Sequence, residues 1–434
     1  IQMMRRLPRM SARLMRADAA LPRECMGLHF RNPVGVAAGL DKNGECINAL
    51  AAMGFGFIEV GTVTPRPQDG NPRPRMFRLP EHEAVINRLG FNNKGVEYLC
   101  RQVERARRDC VLGINIGKNA TTPNERAADD YLHCLQRVYA LADYVTINIS
   151  SPNTKNLRDL QQGDALATLL QALSMKRDQL AVEHGRRVPL AVKLAPDMSA
   201  EQIQASAAII ADTELDAVIA TNTTLSREGV AGHRYADENG GLSGKPLQNL
   251  SQRCFEQLRS ALPEEIPMIG VGGIHDRESA RQRFAAGAQL VQVYTGFVYH
   301  GPDLIESATQ GAHDAALAET AGLADRDPGD GADAEPGDGA VERPGRQRRA
   351  LVLEPGTPRD QARRPRSVDR LPRDGPAVPR QLLERAVEPV VAAPGLVIDL
   401  RLDHGEDLLA RLGAAIHLRR QLRRLQRPGT GPHL

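Results

Sequence analysis

The feature that most constrains this fold is an alternation repeated eight times. Short apolar, β-branched runs occur at 34–40, 55–64, 111–117 and 144–150, and again at 188–195, 217–223, 267–274 and 290–297. Amphipathic helical stretches separate most of them, among them 124–141, 160–183, 199–212 and 276–286. Near-continuous apolar strands alternating with helices specify an α/β protein whose parallel sheet is covered on both faces. Eight such units within about 260 residues fit a (β/α)8 TIM barrel. A doubly wound sheet is the alternative, disfavoured because no GxGxxG opens a helix after the first run.

Function in such a barrel sits at the C-terminal ends of the strands. Those ends are Gly39-Leu40-Asp41-Lys42-Asn43, Gly61-Thr62-Val63-Thr64, Asn115 with Lys118, Asn148 with Ser151 and Asn153, Lys193, Thr221-Asn222-Thr223, Gly270 to Gly273, and Tyr294-Thr295-Gly296. The last two, glycine-rich and placed before helices, suit a phosphate held on backbone N–H groups. The amides and hydroxyls suit a planar heterocycle read at donors and acceptors. The two lysines suit an anion, and Lys193 alone also admits a Schiff-base or plain ion-pair role. Ser151 has no His, Asp or Glu in the next few residues, so a hydrolase reading lacks its base. No carboxylate pair for sugar chemistry and no metal-ligand set appears on this rim.

Composition narrows the partners and divides the chain. The last 114 residues carry 20 Arg and 13 Pro but no Lys, Asn, Cys, Met or aromatic residue. Residues 319–434 are therefore expected to be disordered. The missing types, largely those with A/T-rich codons, also fit out-of-frame translation or a fusion. The tail's 20 Arg against 11 Asp and 6 Glu match the whole chain's net charge of +3, leaving residues 1–320 neutral. That excludes the broad basic face nucleic acid requires. The six scattered cysteines form no CxxC and suggest neither a metal site nor a disulfide framework. Over 1–24, Met3, Leu7, Met10 and Leu14 fall at helical spacing beside Arg5, Arg6, Arg9, Arg13 and Arg16, with Pro8 interrupting. Such a helix lies on a membrane surface or packs on its own domain.

"AAGLDKNGE", "INRLGFNNKGV", "INIGKN", "NISSPNT", "ATNTT", "GGLSGKPL" and "IGVGGI" together resemble the dihydroorotate dehydrogenases over about residues 25–310. The resemblance implies an FMN-containing barrel over 25–318 that oxidises dihydroorotate to orotate in pyrimidine biosynthesis. A serine at the base position is similar to the membrane-associated, quinone-using class. It implies that Ser151 takes a proton from C5 as a hydride leaves C6, with Thr154 and Phe91 shaping a proton relay. It implies FMN contacts at Ala38, Gly39, Leu40, Asp41, Lys42, Thr62, Asn115, Asn148, Lys193, Thr221, Gly244, Gly273, Tyr294 and Thr295. Substrate contacts fall on Lys42, Asn87, Arg88, Leu89, Gly90, Phe91, Asn148, Asn153, Asn222 and Thr223. It further implies peripheral attachment, through residues 1–24, to the cytoplasmic side of the inner or plasma membrane, in a protein expected to be a monomer. The class carries an N-terminal helix pair, of which the first is expected to be absent here. A hydroxyacid-oxidase reading requires a His base, for which His233 is nearest.

Overall fold

Each of the eight apolar runs forms a barrel strand. The computed structural model describes residues 20–324 except Lys155. The helix expected near the N-terminus from the spacing of Met3, Leu7, Met10 and Leu14, and the Arg/Pro tail beyond 324, lie outside the described residues. A hairpin of β1 (Arg23–Cys25) and β2 (Leu28–Phe30) comes first. The chain then runs through β3 (Val34–Val36), α1 (Ile47–Ala52), β4 (Phe57–Val63), β5 (Met76–Leu79), β6 (Ala84–Asn87), α2 (Val96–Arg105), β7 (Val111–Ile116), α3 (Ala127–Val138) and β8 (Tyr144–Asn148). It continues through α4 (Gly163–His184), β9 (Leu190–Leu194), α5 (Ala200–Asp212), β10 (Ala217–Ala220), β11 (Gly241–Gly244), α6 (Gln248–Ala261) and β12 (Met268–Val271). It closes with α7 (Arg277–Ala285), β13 (Ala288–Val293), α8 (Thr295–His300) and α9 (Asp303–Ala324). Strands β3, β4, β7, β8, β9, β10, β12 and β13 pair in parallel and close into a ring.

Local chemistry sets several boundaries. Ser199 caps α5 in a reciprocal box with Gln202, and Asp276 caps α7 in the same way with Ser279. The barrel was expected to end at 318; its final helix continues to Ala324. Its last stretch is rich in alanine and the next proline is Pro328, so nothing breaks the helix there. Arg277 grips Asp314 with two hydrogen bonds of 2.5 and 2.7 Å, pinning α7 to α9.

Two apolar layers hold the barrel. Outward-facing residues such as Ile58, Val60, Ile114, Val145 and Val192 pack beneath the helices. Inward-facing Phe57, Tyr144, Ala191, Ile219, Ile269 and Leu290 fill the barrel floor, and Phe30 of the hairpin closes it from below. Phe57 meets Phe30 edge-on at 5.3 Å and Tyr144 at 6.4 Å. Glycine on neighbouring strands makes room for these rings. A Cβ at Gly35 would lie 2.5 Å from Phe57, and one at Gly113 would lie 2.2 Å from Tyr144. Over the opposite end lies a three-stranded antiparallel sheet in the order β11-β6-β5.

Candidate active site

Successive side chains on a strand point to opposite faces, so each barrel strand sends every second residue inward. Ascending from the floor, those inward residues change character. On β4, Phe57 is followed by Glu59 and Gly61. On β8, Tyr144 is followed by Thr146 and Asn148; on β9, Ala191 by Lys193; on β13, Leu290 by Gln292. An apolar floor thus gives way to a buried polar layer beneath the C-terminal mouth.

Glu59, 1% exposed, accepts hydrogen bonds from Asn115 Nδ2 (2.8 Å), the Tyr144 hydroxyl (2.9 Å) and Gln292 Nε2 (2.7 Å). Thr62 Oγ1 donates to Asn115 Oδ1 at 2.6 Å, and Asn148 Nδ2 reaches Thr62 Oγ1 at 2.9 Å. Lys193 is buried, and its ammonium makes no hydrogen bond or ion pair among the described residues. Burial pushes its ammonium below the ordinary lysine value, and Glu59 opposes that shift.

Above this layer opens a cleft of about 1030 Å³, its solvent-open mouth included. Of the residues named from sequence, Ala38, Gly39, Lys42, Thr62, Asn148, Ser151, Asn153 and Lys193 line it. So do Thr221, Asn222, Thr223, Gly244, Gly273, Tyr294 and Thr295. The loop from β6 contributes Asn87, Leu89, Gly90 and Phe91. Phe91 has φ +52°, a left-handed conformation uncommon for a bulky residue. Its ring lies over Gly117, where a Cβ would come within 3.1 Å of it.

The remaining residues named from sequence sit outside this lining. Asn115 lies a layer deeper, behind Thr62. Leu40 packs on the core. The Asp41 carboxylate accepts from the backbone N–H groups of Glu45 and Cys46 at 2.9 and 2.6 Å, closing a turn. Burial raises its pKa, against those bonds. Arg88 turns to Glu238 at 2.6 Å and stacks on Phe77. Thr154 is buried behind the loop carrying Ser151, and its hydroxyl has no partner among the described residues. Lys118 donates to the Thr122 carbonyl instead of entering the cleft. His233 sits beside Glu81 and Tyr235, away from the lining.

Sequence reasoning passed over four contributors. Ser243 bonds Thr295 in the wall of the cleft, Oγ to Oγ1 at 2.8 Å. Gln292 lines the cleft, and its Oε1 is buried without a partner among the described residues. Glu59 was visible as a lone charge within an apolar run, and Gln292 as a polar residue in another. Arg158 has no such signal: its guanidinium donates to the carbonyls of Ser150 (3.0 Å) and Thr223 (2.8 Å) and to Asp197 (2.7 Å), joining two strand ends.

The cleft is electropositive. Lys42, partly exposed, donates to the Gly39 carbonyl at 2.8 Å. Desolvation first and Arg75 second push its pKa down to about 8, with Asp41 opposing. Tyr294 reaches toward the same carbonyl, and burial pushes its phenol up to about 12. Ser151 Oγ accepts from the Asn153 backbone N–H at 3.2 Å. The Thr223 hydroxyl oxygen is buried without a partner among the described residues. Two ammonium groups, five amides and two acceptors unpartnered among the described residues, in one cleft, describe a receptor for an anionic, edge-hydrogen-bonding ring.

Known proteins give the same arrangement a family. Residues 20–314 match the dihydroorotate dehydrogenase family. A Paraburkholderia xenovorans protein named dihydroorotate dehydrogenase (quinone) is 61% identical over 289 residues, covering 67% of this chain and 85% of the relative. An Ectopseudomonas mendocina protein of the same name is 58% identical over 295 residues, covering 68% and 87%. A crystal structure of DHODH from Eimeria tenella in complex with ferulenol superposes with a TM-score of 0.67 at 38% identity, covering 74% of this chain and 92% of that one. With two thirds of its length matched at this identity and its barrel shared with a solved member, this chain belongs to the dihydroorotate dehydrogenase family.

Proposed function

We propose that this protein oxidises dihydroorotate to orotate in de novo pyrimidine (UMP) biosynthesis, with FMN as hydride acceptor and a quinone as final electron acceptor. The observation that carries this reading is the convergence of Ser151, Lys42, Lys193 and the amides of Asn148, Asn153 and Asn222 in one cleft.

The residues fit FMN. Gln292 presents a buried, unpartnered acceptor in the lining, suited to a ring N–H. Lys193 supplies an unpaired ammonium where negative charge grows on reduction. Ala38, Gly39, Thr62 and Thr221 would hold the ring, and Gly244, Gly273, Tyr294 and Thr295 the phosphate. When bound, FMN supplies the acceptor for the hydride leaving C6 of dihydroorotate.

The chain's own groups do the rest. Lys42 faces the substrate carboxylate. Asn87, Asn148, Asn153, Asn222 and Thr223 read the N–H and C=O groups of the ring and fix its orientation. The Asn153 N–H holds Ser151 Oγ by one lone pair, and the other takes the C5 proton. Ser151 passes its own proton to water, which the Thr154 hydroxyl, free of other partners among the described residues, can help to hold, so no histidine is needed. Loss of the C5 proton and the C6 hydride leaves the C5=C6 double bond of orotate. Phe91, over the cleft, keeps bulk water from this step.

Among the described residues, no helix is long and apolar enough to cross a membrane. We propose that contact with a membrane quinone is peripheral, with the basic stretch at the N-terminus supplying the charge for it.

The purified protein should be yellow with a flavin spectrum. It should bleach anaerobically with dihydroorotate and recover its colour with a soluble ubiquinone analogue. Protein that stays colourless after FMN is offered, or flavin that does not bleach, overturns the reading.

A further inference from the structure

We infer that Glu59 is a positioning residue, whose carboxylate fixes the donor–acceptor sense of the amides that read the cofactor and substrate. The inference rests on the function proposed above for what those amides hold. It begins from a chain of hydrogen bonds that all run one way. An ionised carboxylate only accepts, so Asn115 must turn Nδ2 toward Glu59 Oε1, at 2.8 Å. Asn115 Oδ1 then faces upward and accepts from Thr62 Oγ1 (2.6 Å) and Asn148 Nδ2 (3.1 Å). Thr62, having spent its proton there, accepts from Asn148 Nδ2 at 2.9 Å. Asn148 Oδ1 therefore faces Ser150, whose hydroxyl donates to it at 2.9 Å. Ser150 Oγ in turn accepts from Asn222 Nδ2 at 2.9 Å, and Asn222 Oδ1 accepts from the Thr223 N–H at 2.7 Å.

The same carboxylate acts on the opposite wall. Glu59 Oε2 holds Gln292 by Nε2 at 2.7 Å, leaving Gln292 Oε1 as the unpartnered atom of that amide. One buried charge thus decides which end of four amides, on strands β7, β8 and β13 and after β10, is committed to the protein. A glutamine at 59 offers both a donor and an acceptor. Either sense of the chain then becomes available, and the amides lose the single arrangement that matches the ligand. The charge also lies beneath the lysine that faces the flavin, so its removal reaches the cofactor electrostatically.

The test compares wild type, Glu59→Gln and Tyr144→Phe by FMN titration of apoprotein, the orotate-induced shift of the flavin spectrum, and the midpoint potential of the bound flavin. E59Q is expected to bind FMN about 10- to 100-fold more weakly, the size of a charge-assisted hydrogen bond. The flavin that remains should have a more positive potential, because a negative charge below it is gone. Y144F removes a donor to the same carboxylate but leaves the charge and Asn115 in place. Its FMN affinity should stay within about threefold of wild type, less than a typical neutral hydrogen bond. E59Q with wild-type affinity and potential, or Y144F indistinguishable from E59Q, overturns the inference. Should E59Q not fold, Glu59→Asp reads the same point. It keeps the charge but withdraws it from Asn115, so affinity falls while the potential holds, and unchanged affinity overturns the inference. Wild type that takes up no FMN overturns the function itself.

Discussion

Asn153 Nδ2 donates to Asn87 Oδ1 at 3.1 Å, tying the loop that follows β8 to the end of β6. Asn71 strengthens the joint from outside, donating to the Asn153 carbonyl at 3.3 Å. The loop carrying Ser151 and the sheet over the mouth are therefore one assembly. Asn153→Ala removes a ligand-reading amide and this tie together. kcat/KM for dihydroorotate should fall about 10- to 100-fold, with thermal stability changed by less than about 1 kcal/mol, since the group is only partly buried. Steady-state kinetics beside a melting curve checks both.

Ser151→Ala should leave FMN and orotate binding intact while flavin reduction slows about 10²- to 10⁴-fold, the usual size of a lost general base. Stopped-flow single-turnover reduction measures it. Near-normal reduction would remove Ser151 from the reaction.

Lys42 gives the cleft a pH dependence. Its pKa in the free protein is lowered to about 8, and a bound carboxylate raises it again. Below about pH 8 the ammonium is already charged, so orotate affinity is flat. Above that value, binding must take up a proton, and affinity falls by up to about tenfold per pH unit. For folding the sign is opposite. The lowered pKa means that the unfolded chain binds more protons between about 8 and 10.5, so the burial penalty, fully present below 8, is relieved as pH rises. Lys42→Met should abolish the alkaline loss of orotate affinity while lowering affinity at pH 7. Spectral titration across pH 6–10 distinguishes the two curves.

Arg158 links the Ser150 and Thr223 carbonyls through one planar fork. Lysine cannot reproduce that geometry. Arg158→Lys should lower stability by about 1–3 kcal/mol and weaken orotate more than FMN. Equal weakening of both ligands would show general unfolding instead.

Gly117 is a close-approach position. A methyl there would lie 2.8 Å from Thr62 Cγ2 and 3.1 Å from the Phe91 ring. Gly117→Ala should cost about 1–3 kcal/mol of stability by overpacking and displace Phe91, raising KM for dihydroorotate. A differential melting experiment with and without orotate reports both effects.

The barrel was legible because its signal is local and repeated: strand runs such as 144–150 and 111–117 overlap β8 and β7 almost residue for residue. The hairpin at 23–30 and the sheet formed by β5, β6 and β11 were not. Their strands are three or four residues long and several carry Gly, Ser or Arg on one face, too little to register as periodicity. The cleft's members were legible from motifs, but motifs do not give direction. Arg88 and Asp41 stand beside cleft residues in the chain, yet turn to Glu238 and to a backbone turn. Glu59 was readable in principle, since a carboxylate inside "FIEVGTV" needs buried donors. Its donors come from β7, β8 and β13, and only the closed ring brings them together.

The sheet over the mouth also has a folding history. It pairs Asn87 with Gly241 and Ala84 with Gly244, segments that enter from different sides of the ring. Ser243 and Val85 of this pairing lie 158 residues apart in the chain, so it carries the largest loop-closure entropy among the sheet contacts of the mouth. We expect it to assemble late and to open early from the native state. Hydrogen exchange should therefore find the amides of 84–87 and 241–244 less protected than those of β8 or β9. The same low-energy opening that ends folding would then serve as the door through which orotate leaves.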